Sequence, residues 1–388
     1  MEIKKLPEIC EIKTGKMDAN HAVSNGQYRF YTCANKYSMC NTKSFSGPCV
    51  IVPGNGDIGL VFFYDGEFEA YQRTYVLQNI SINPKYLYYH FCYKWRDRNS
   101  DKQFGSTVRY VRMGNFTSYE VPVPSTQEQE RIVSRIEELF SQLDAGVETL
   151  KKAKAQLAVY RQAVLKEAFE GKLTRNYRES NNLSLWSTDT ILNLVKKEKH
   201  ALKAGPFGSA LKKECYVPSG YKVYGQEQVI AGDENIGNYY IDDKKYQELL
   251  SCAIAPGDVL ISLVGTVGKV LILSEKCLPG IINPRLIRIR LDSEKMLPQF
   301  FKYYFESAYL KSIYKEKAHG ATMDVLNMGM IKELPFVVCD VKEQIKVIEE
   351  IESRFSVCDS IEQTVDSALL QAEAMRLSIL KQAFEGNL

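Results

Sequence analysis

The sequence predicts two α/β domains of the α+β kind, two copies of one unit, joined by two long helices that pair as an intramolecular antiparallel coiled coil. Three observations lead there. AFEGKL at residues 168–173 returns as AFEGNL at 383–388, and the likeness runs upstream without a gap at an offset of 215 residues. Before each copy lies a long stretch of heptad spacing, and before that a region of short β-branched runs broken by glycine.

Residues 105–173 and 320–388 share 23 of 69 positions, among them Gly105/Gly320, Glu128/Glu343, Gln129/Gln344, Asp144/Asp359 and Arg161/Arg376. A period this long exceeds that of solenoid repeats, so the duplicated unit is a domain together with its helix. The order is a first domain over 1–124, a central helical region over 125–175, a second domain over 176–338 and a second helical region over 339–388.

In the first domain CVIVPGNGDIGLVFFY (49–64) reads as two strands joined at glycines, followed by the strand TYVLQNI and, after Pro84, an aromatic helix. In the second, DVLISLVGTVGKVLILS (258–274), RLIRIRL and the helix after Pro298 repeat that order with other letters. Both aromatic runs have the helical spacing of core residues and not of exposed base-stacking platforms. The first long helix carries a seam through Ile136, Phe140, Leu143, Val147, Leu150, Leu157 and Val164, with polar lapses at Lys154 and Arg161. The second carries Ile351, Phe355, Val365, Leu369 and Ile379, with lapses at Glu362 and Arg376. No proline interrupts either stretch, and Gly171 and Gly386 stand where helices stop. Each helix then spans about 40 residues, roughly 60 Å. A stripe of that length needs a partner, and its own duplicate lies in the same chain. Pairing is antiparallel, with the domains expected at opposite ends of the rod.

Composition is that of an ordinary globular chain, 45% hydrophobic and 25% charged, with net charge +3. No apolar run reaches the ~20 residues of a membrane span, nor does the start have signal-peptide character. A cytoplasmic location is expected. Ten cysteines without a C-x-x-C pair read as reduced thiols and exclude a zinc or disulfide framework. No metal or cofactor is expected, because there is neither a glycine-rich nucleotide fingerprint nor an H-E-x-x-H pattern. Asn283-Pro284-Arg285 departs from the methyltransferase tetrapeptide at its third place. Gly265, Gly268 and Lys269 lack the Walker spacing and read as a hairpin.

Charge marks the nucleic-acid candidates. The first domain is net +4 over 1–123, the second +2 over 176–340, and residues 341–388 are net −4. The strongest local cluster holds Lys94, Arg96, Arg98, Lys102, Arg109 and Arg112 among polar residues able to reach base edges. An exposed loop after the aromatic helix is the other reading of it. In the second domain the candidates are Lys311, Lys315, Lys317 and His319. Gly205, Phe207 and Ser209 with Lys212 and Lys213 form either a close backbone approach to DNA or a plain turn, and Lys269 of the glycine hairpin is a further candidate.

VPVPSTQEQERIV, VLKEAFEGKLT, AGPFGSALKK and LVGTVGK, set in two domains that alternate with two like helices, resemble the specificity subunit of type I restriction-modification systems over essentially the whole chain. That resemblance implies that each domain reads one half of a split target in double-stranded DNA. It implies that the helices act as a ruler, and that separate methyltransferase and restriction subunits do the chemistry. Two methyltransferase copies are expected, docked on outer helix faces bearing Arg135, Glu138, Lys151, Lys152 and Glu373. The chain is therefore not expected to be an enzyme. The alternatives are a self-contained DNA methyltransferase or nuclease, against which the missing motifs count, and a coiled-coil protein without DNA binding, against which the basic cluster counts.

Overall fold

The computed structural model describes residues 2–100, 104, 109–207, 209–264, 267–317 and 326–388, with the backbone alone at 315–317. The chain folds as two compact units, residues 1–152 with 365–388, and residues 153–364. Each unit holds one α/β domain and a part of both long helices. Those helices are Thr126–Phe169 and Val341–Phe384, of 44 residues each, and their bounds differ by the repeat offset at both ends.

In unit 1 a four-stranded sheet runs in the order Glu11–Thr14, Thr74–Gln78, Pro48–Pro53, Phe62–Asp65, antiparallel throughout. Tyr28–Tyr31 pairs antiparallel with Ser38–Cys40 and parallel with Phe68–Ala70, and Glu2–Lys5 pairs with Glu120–Val123. Pro48–Pro53 is an apolar run buried from Cys49 onward, which suits a central strand covered on both faces. The hairpin expected between Cys49 and Tyr64 is present as the pairing of Pro48–Pro53 with Phe62–Asp65.

Unit 2 repeats this plan. Its four-stranded sheet runs Leu202–Ala204, Leu286–Ile289, Val259–Ser262, Val270–Ile272, again antiparallel. Tyr221–Tyr224 pairs antiparallel with Tyr240–Ile241 and parallel with Gly280–Ile282, and Ser187–Asp189 pairs with Phe336–Val338. Strand for strand, the topology is that of unit 1.

The aromatic helices cover the large sheets. Tyr86, Leu87, His90, Phe91 and Trp95 of Pro84–Asn99 are buried, as are Phe300, Phe301, Tyr304 and Phe305 of Pro298–Phe305. One buried glutamine anchors each of them to a long helix. The Asn83 N–H donates to Gln129 Oε1 at 2.8 Å, and the Leu297 N–H donates to Gln344 Oε1 at 2.9 Å. Pro84 and Pro298 then start the helices without a wasted donor. This explains why glutamine recurs at the repeat-equivalent positions 129 and 344.

Within each unit the two long helices run antiparallel. In unit 1 Arg131 donates to the Leu388 carbonyl, and Arg376 pairs with Asp144 while lying 4.8 Å from the Phe140 ring. In unit 2 Arg161 meets Asp359 at 2.6 Å and lies 5.1 Å from the Phe355 ring, and Lys154 meets Glu362 at 3.5 Å. The polar lapses in the heptads are thus ion pairs across the seam, and adding 215 to Asp144 and Arg161 yields Asp359 and Arg376. Every apolar seam residue named above is buried or half-buried. Gly171 and Gly386 close the helices at φ +71° and +79°, a left-handed conformation that glycine adopts without strain.

Past Gly171 the chain turns back within unit 2. Thr174 donates to Glu343 at 2.7 Å and Arg178 donates to the same carboxylate at 2.9 Å, which seals a fully buried acid at the base of the second long helix. All ten cysteines are free thiols, six of them buried. Among the described residues no helix is long and apolar enough to cross a membrane.

Candidate nucleic-acid interface

The loop after strand Pro48–Pro53 organises the basic cluster of unit 1. The Gly54 carbonyl accepts from the Val111 N–H at 2.8 Å, Asn55 bridges to Tyr110, and the Gly56 N–H donates to the Arg109 carbonyl at 3.0 Å. Gly56 needs its left-handed φ of +79° for this path. Arg112 donates to the Tyr110 hydroxyl at 2.9 Å and stacks 4.1 Å over the Phe104 ring. Arg96 reaches the same loop through Asp57 at 2.8 Å.

A cleft of about 410 Å³ results, lined by Asn55, Gln72, Arg73, Tyr75, Tyr110 and Arg112. Asn55 Oδ1 is buried there without a hydrogen-bond partner among the described residues. A cleft that offers two arginines, amide and phenol groups and a buried acceptor without a partner among the described residues suits a charged, hydrogen-bonding ligand such as nucleic acid.

Lys94 and Arg98 stand elsewhere. They line a separate groove with His90, Tyr93, Tyr119, Glu120 and Phe384. The Lys94 ammonium lies 4.2 Å over the Tyr93 ring, and Arg98 donates to the Ser118 carbonyl at 2.9 Å. His90 in that groove wall contacts the Tyr119 hydroxyl at 3.1 Å. Burial, reinforced by Lys94 and Arg98, pushes its pKa down to about 4, so it stays neutral and is no acid–base group near pH 7. The stretch 94–112 thus divides: Arg112 lines the cleft, Arg96 and the Arg109 backbone meet its loop at Asp57 and Gly56, and Lys94 and Arg98 stand in the other groove. Lys102 and His319 lie outside the described residues.

In unit 2 Gly205 does not face open solvent. Its N–H donates to the Leu286 carbonyl at 3.0 Å, and a Cβ there would stand 1.8 Å from the Asn283 carbonyl oxygen. The close approach that glycine permits is made to the protein's own backbone. In unit 1 Gly15 holds the same place, donating to the Thr74 carbonyl at 3.1 Å. Two residues beyond Gly205, Phe207 is 91% exposed, and Ser209, Lys212, Lys213 and Lys269 are exposed. Lys311 is half-buried on helix Ala308–Lys317, where Lys315 and Lys317 also sit by their backbone.

Two residues escaped the sequence reading. Arg73 and Arg285 occupy matching positions at the entry of the central strands Thr74–Gln78 and Leu286–Ile289, both exposed. Arg285 Nη1 donates to Gln226 Oε1 at 3.3 Å, and Gln226 Nε2 donates to Ser262 Oγ at 3.0 Å and to the Val264 carbonyl. The signal was present in the paired strands RTYVLQNI and RLIRIRL, which both open on arginine, but their spacing is 212 and not 215. Among the described residues no group of three or more His, Cys, Asp or Glu side chains gathers to hold a metal ion.

A duplicated pair of α/β domains, each with a cationic polar edge and each braced by two helices, defines a recognition scaffold. The description "Type I restriction modification DNA specificity domain" matches residues 1–157 and 206–371, and the chain belongs to that family. It is 27% identical over 415 residues to the type I restriction enzyme EcoDI specificity subunit of Escherichia coli, covering 99% of this chain and 88% of that protein. It is 26% identical to the StySPI specificity subunit of Salmonella potsdam, covering 79% of this chain and 66% of the relative. Two solved structures share the fold. One comes from work on complex assembly and conformational transition of a type I restriction-modification system, with a TM-score of 0.72, 14% identity and coverage of 100% and 98%. The other is the HsdS subunit of Thermoanaerobacter tengcongensis, with a TM-score of 0.53, 15% identity and coverage of 100% and 97%.

Proposed function

We propose that this chain is the DNA sequence-specificity subunit of a type I restriction-modification complex. Each α/β domain reads one half of a bipartite target in double-stranded DNA. The paired helices set the interval between the halves, and major-groove segments on one face recur about every ~34 Å. Two methyltransferase subunits dock on the helices, restriction subunits join that assembly, and the chain itself carries no catalytic group and no cofactor.

The observation that carries this reading is the repetition of one strand topology in both units around edges that bear different polar side chains. One scaffold made twice, with two different reading surfaces, is what a split and non-palindromic target requires. The docking surfaces are supported by exposed apolar side chains on the long helices: Leu370, Met375 and Leu377 in unit 1, and Val159, Val357 and Ile361 in unit 2. Arg135, Glu138, Lys151, Lys152 and Glu373 on the helices of unit 1 are exposed as well.

Co-expression with the partner methyltransferase, followed by sequencing of modified bases, tests the proposal. A split motif with a fixed unread spacer is the expected result. Modification by the purified chain alone, or no salt-dependent DNA affinity in its complex, overturns it.

A further inference from the structure

Each domain enters its central strand through a four-residue turn, and one residue of that turn is common to both. In unit 1 the turn is Tyr71-Gln72-Arg73-Thr74, closed by the Thr74 N–H donating to the Tyr71 carbonyl at 2.8 Å. In unit 2 it is Asn283-Pro284-Arg285-Leu286, closed by the Leu286 N–H donating to the Asn283 carbonyl at 3.2 Å. Arginine stands third in both; the other three positions differ.

The same backbone partners clamp both turns. Tyr71 donates to the Tyr31 carbonyl at 2.9 Å, and Asn283 donates to the Tyr224 carbonyl at 2.9 Å. The Arg73 carbonyl accepts from the Gly54 N–H at 2.8 Å, and the Arg285 carbonyl accepts from the Leu263 N–H at 3.0 Å. Gly15 and Gly205 bond the residue after each arginine and leave no space for a side chain, since a Cβ would stand 1.9 Å from the Ala70 carbonyl oxygen or 1.8 Å from that of Asn283. A main chain held at every step around one exposed arginine presents that guanidinium from a fixed origin, which lowers the ordering cost of a directional contact.

The side-chain surroundings are as different as the backbones are alike. Arg73 makes no side-chain hydrogen bond or ion pair among the described residues. It opens onto the cleft with Gln72, Tyr110, Arg112 and the Asn55 oxygen, which has no partner among the described residues. Arg285 is steadied by Gln226, itself tied to Ser262 and Val264, which leaves the other guanidinium donors without a partner among the described residues. A cation that only neutralises phosphate needs no such clamp, because charge acts without fixed direction. A guanidinium that must place two parallel donors on one base does need it.

We propose that Arg73 and Arg285 are matched base-reading residues, one per domain, each donating two hydrogen bonds to the acceptor edge of a guanine in the major groove. This rests on the DNA-reading function above. It adds that the two half-sites each hold a guanine at the equivalent place, while the differing neighbours set the remaining bases.

The test uses the full chain in complex with its methyltransferase, with the target read from modified-base sequencing. Arg73→Ala is expected to relax one position in one half-site, and Arg285→Ala the equivalent position in the other half. Each should lower target affinity about 10- to 100-fold, with little change on random duplex. Arg73→Lys and Arg285→Lys should relax the same positions, since an ammonium lacks the two-pronged geometry. Both residues are exposed, so the melting temperatures of the variants should match the parent. If the parent complex modifies a split motif and the alanine variants keep that motif and affinity, the matched-arginine assignment fails while the function stands. Restoration of the full motif by lysine identifies a phosphate contact and also overturns it. If the parent modifies no split motif, the function itself fails.

Discussion

The two α/β domains share every strand pairing, yet their sheets are filled by opposite means. Where unit 1 has Cys49 and Val76, both fully buried, unit 2 has Asp258 and Arg288 at the equivalent register positions. Arg290 meets Asp258 at 3.0 Å, Arg288 Nε stands 3.8 Å from the same carboxylate, and the Arg288 Nη groups donate to the Ala253 and His200 carbonyls. Burial raises the Asp258 pKa, and the hydrogen bond from Arg290 works against that rise. An apolar pair and an ion cluster therefore occupy the same slot. Backbone pairing, and not the chemistry of individual core residues, holds the shared plan.

Replacing half of the ion cluster should hurt most. Asp258→Ala leaves Arg288 buried without its ion-pair partner and should cost unit 2 about 3–5 kcal/mol. Combining Asp258→Cys with Arg288→Val installs the unit 1 pair and should cost less than the single change. Hydrogen exchange on unit 2 peptides measures both, and a double variant as unstable as the single one would show that the slots are not equivalent.

A smaller difference is set by pH. His90 in unit 1 faces Phe384, with ring centroids 5.2 Å apart, where Tyr304 in unit 2 faces Phe169 at 5.1 Å. The folded pKa of His90, at about 4, lies below the free value of about 6.5. Its contribution is therefore complete above pH 6.5 and is lost as pH falls toward 4, by up to about 3 kcal/mol. Unit 1 should soften over that window and His90→Phe should remove the effect. An unchanged acid profile in that variant would count against it.

Gln129→Ala and Gln344→Ala each leave a half-buried helix-start N–H unpaired and should cost about 1–3 kcal/mol in their own units. Exchange rates at the start of the aromatic helices report this, and the two losses should be alike, because the geometry is. Least affected are the seam pairs. Arg376→Asp should cost about 0.2–1 kcal/mol, and adding Asp144→Arg should restore it, as followed by urea titration at low salt. Failure of the exchanged pair to recover stability would show that stacking on Phe140, and not charge, is what Arg376 supplies there.

The long helices were legible because their signal is local. Heptad spacing, the absence of proline and the closing glycines at 171 and 386 predicted two rods whose bounds match at the repeat offset. The hairpins after Cys49 and Asp258 were legible for the same reason, with β-branched runs flanking glycine. The basic run 94–112 was visible as composition but not as geometry. Helical rotation sends Lys94 and Arg98 to one groove, while loop pairing draws Arg112 to another. Arg73 and Arg285 were hidden because insertions between strands shift the repeat from 215 to 212, and a single shared letter has no periodicity to betray it.

Read alone, the chain of residues establishes a duplication, two rods, two α/β domains and the family they resemble, since each of these is written in periodic or repeated letters. Folding settled which side chains meet. It built each compact unit from one domain and parts of both rods, turned polar lapses into seam ion pairs, and clamped two distant arginines in the same turn. Such arrangements depend on strand register and on backbone hydrogen bonds between residues tens of positions apart, and no local pattern of letters encodes them.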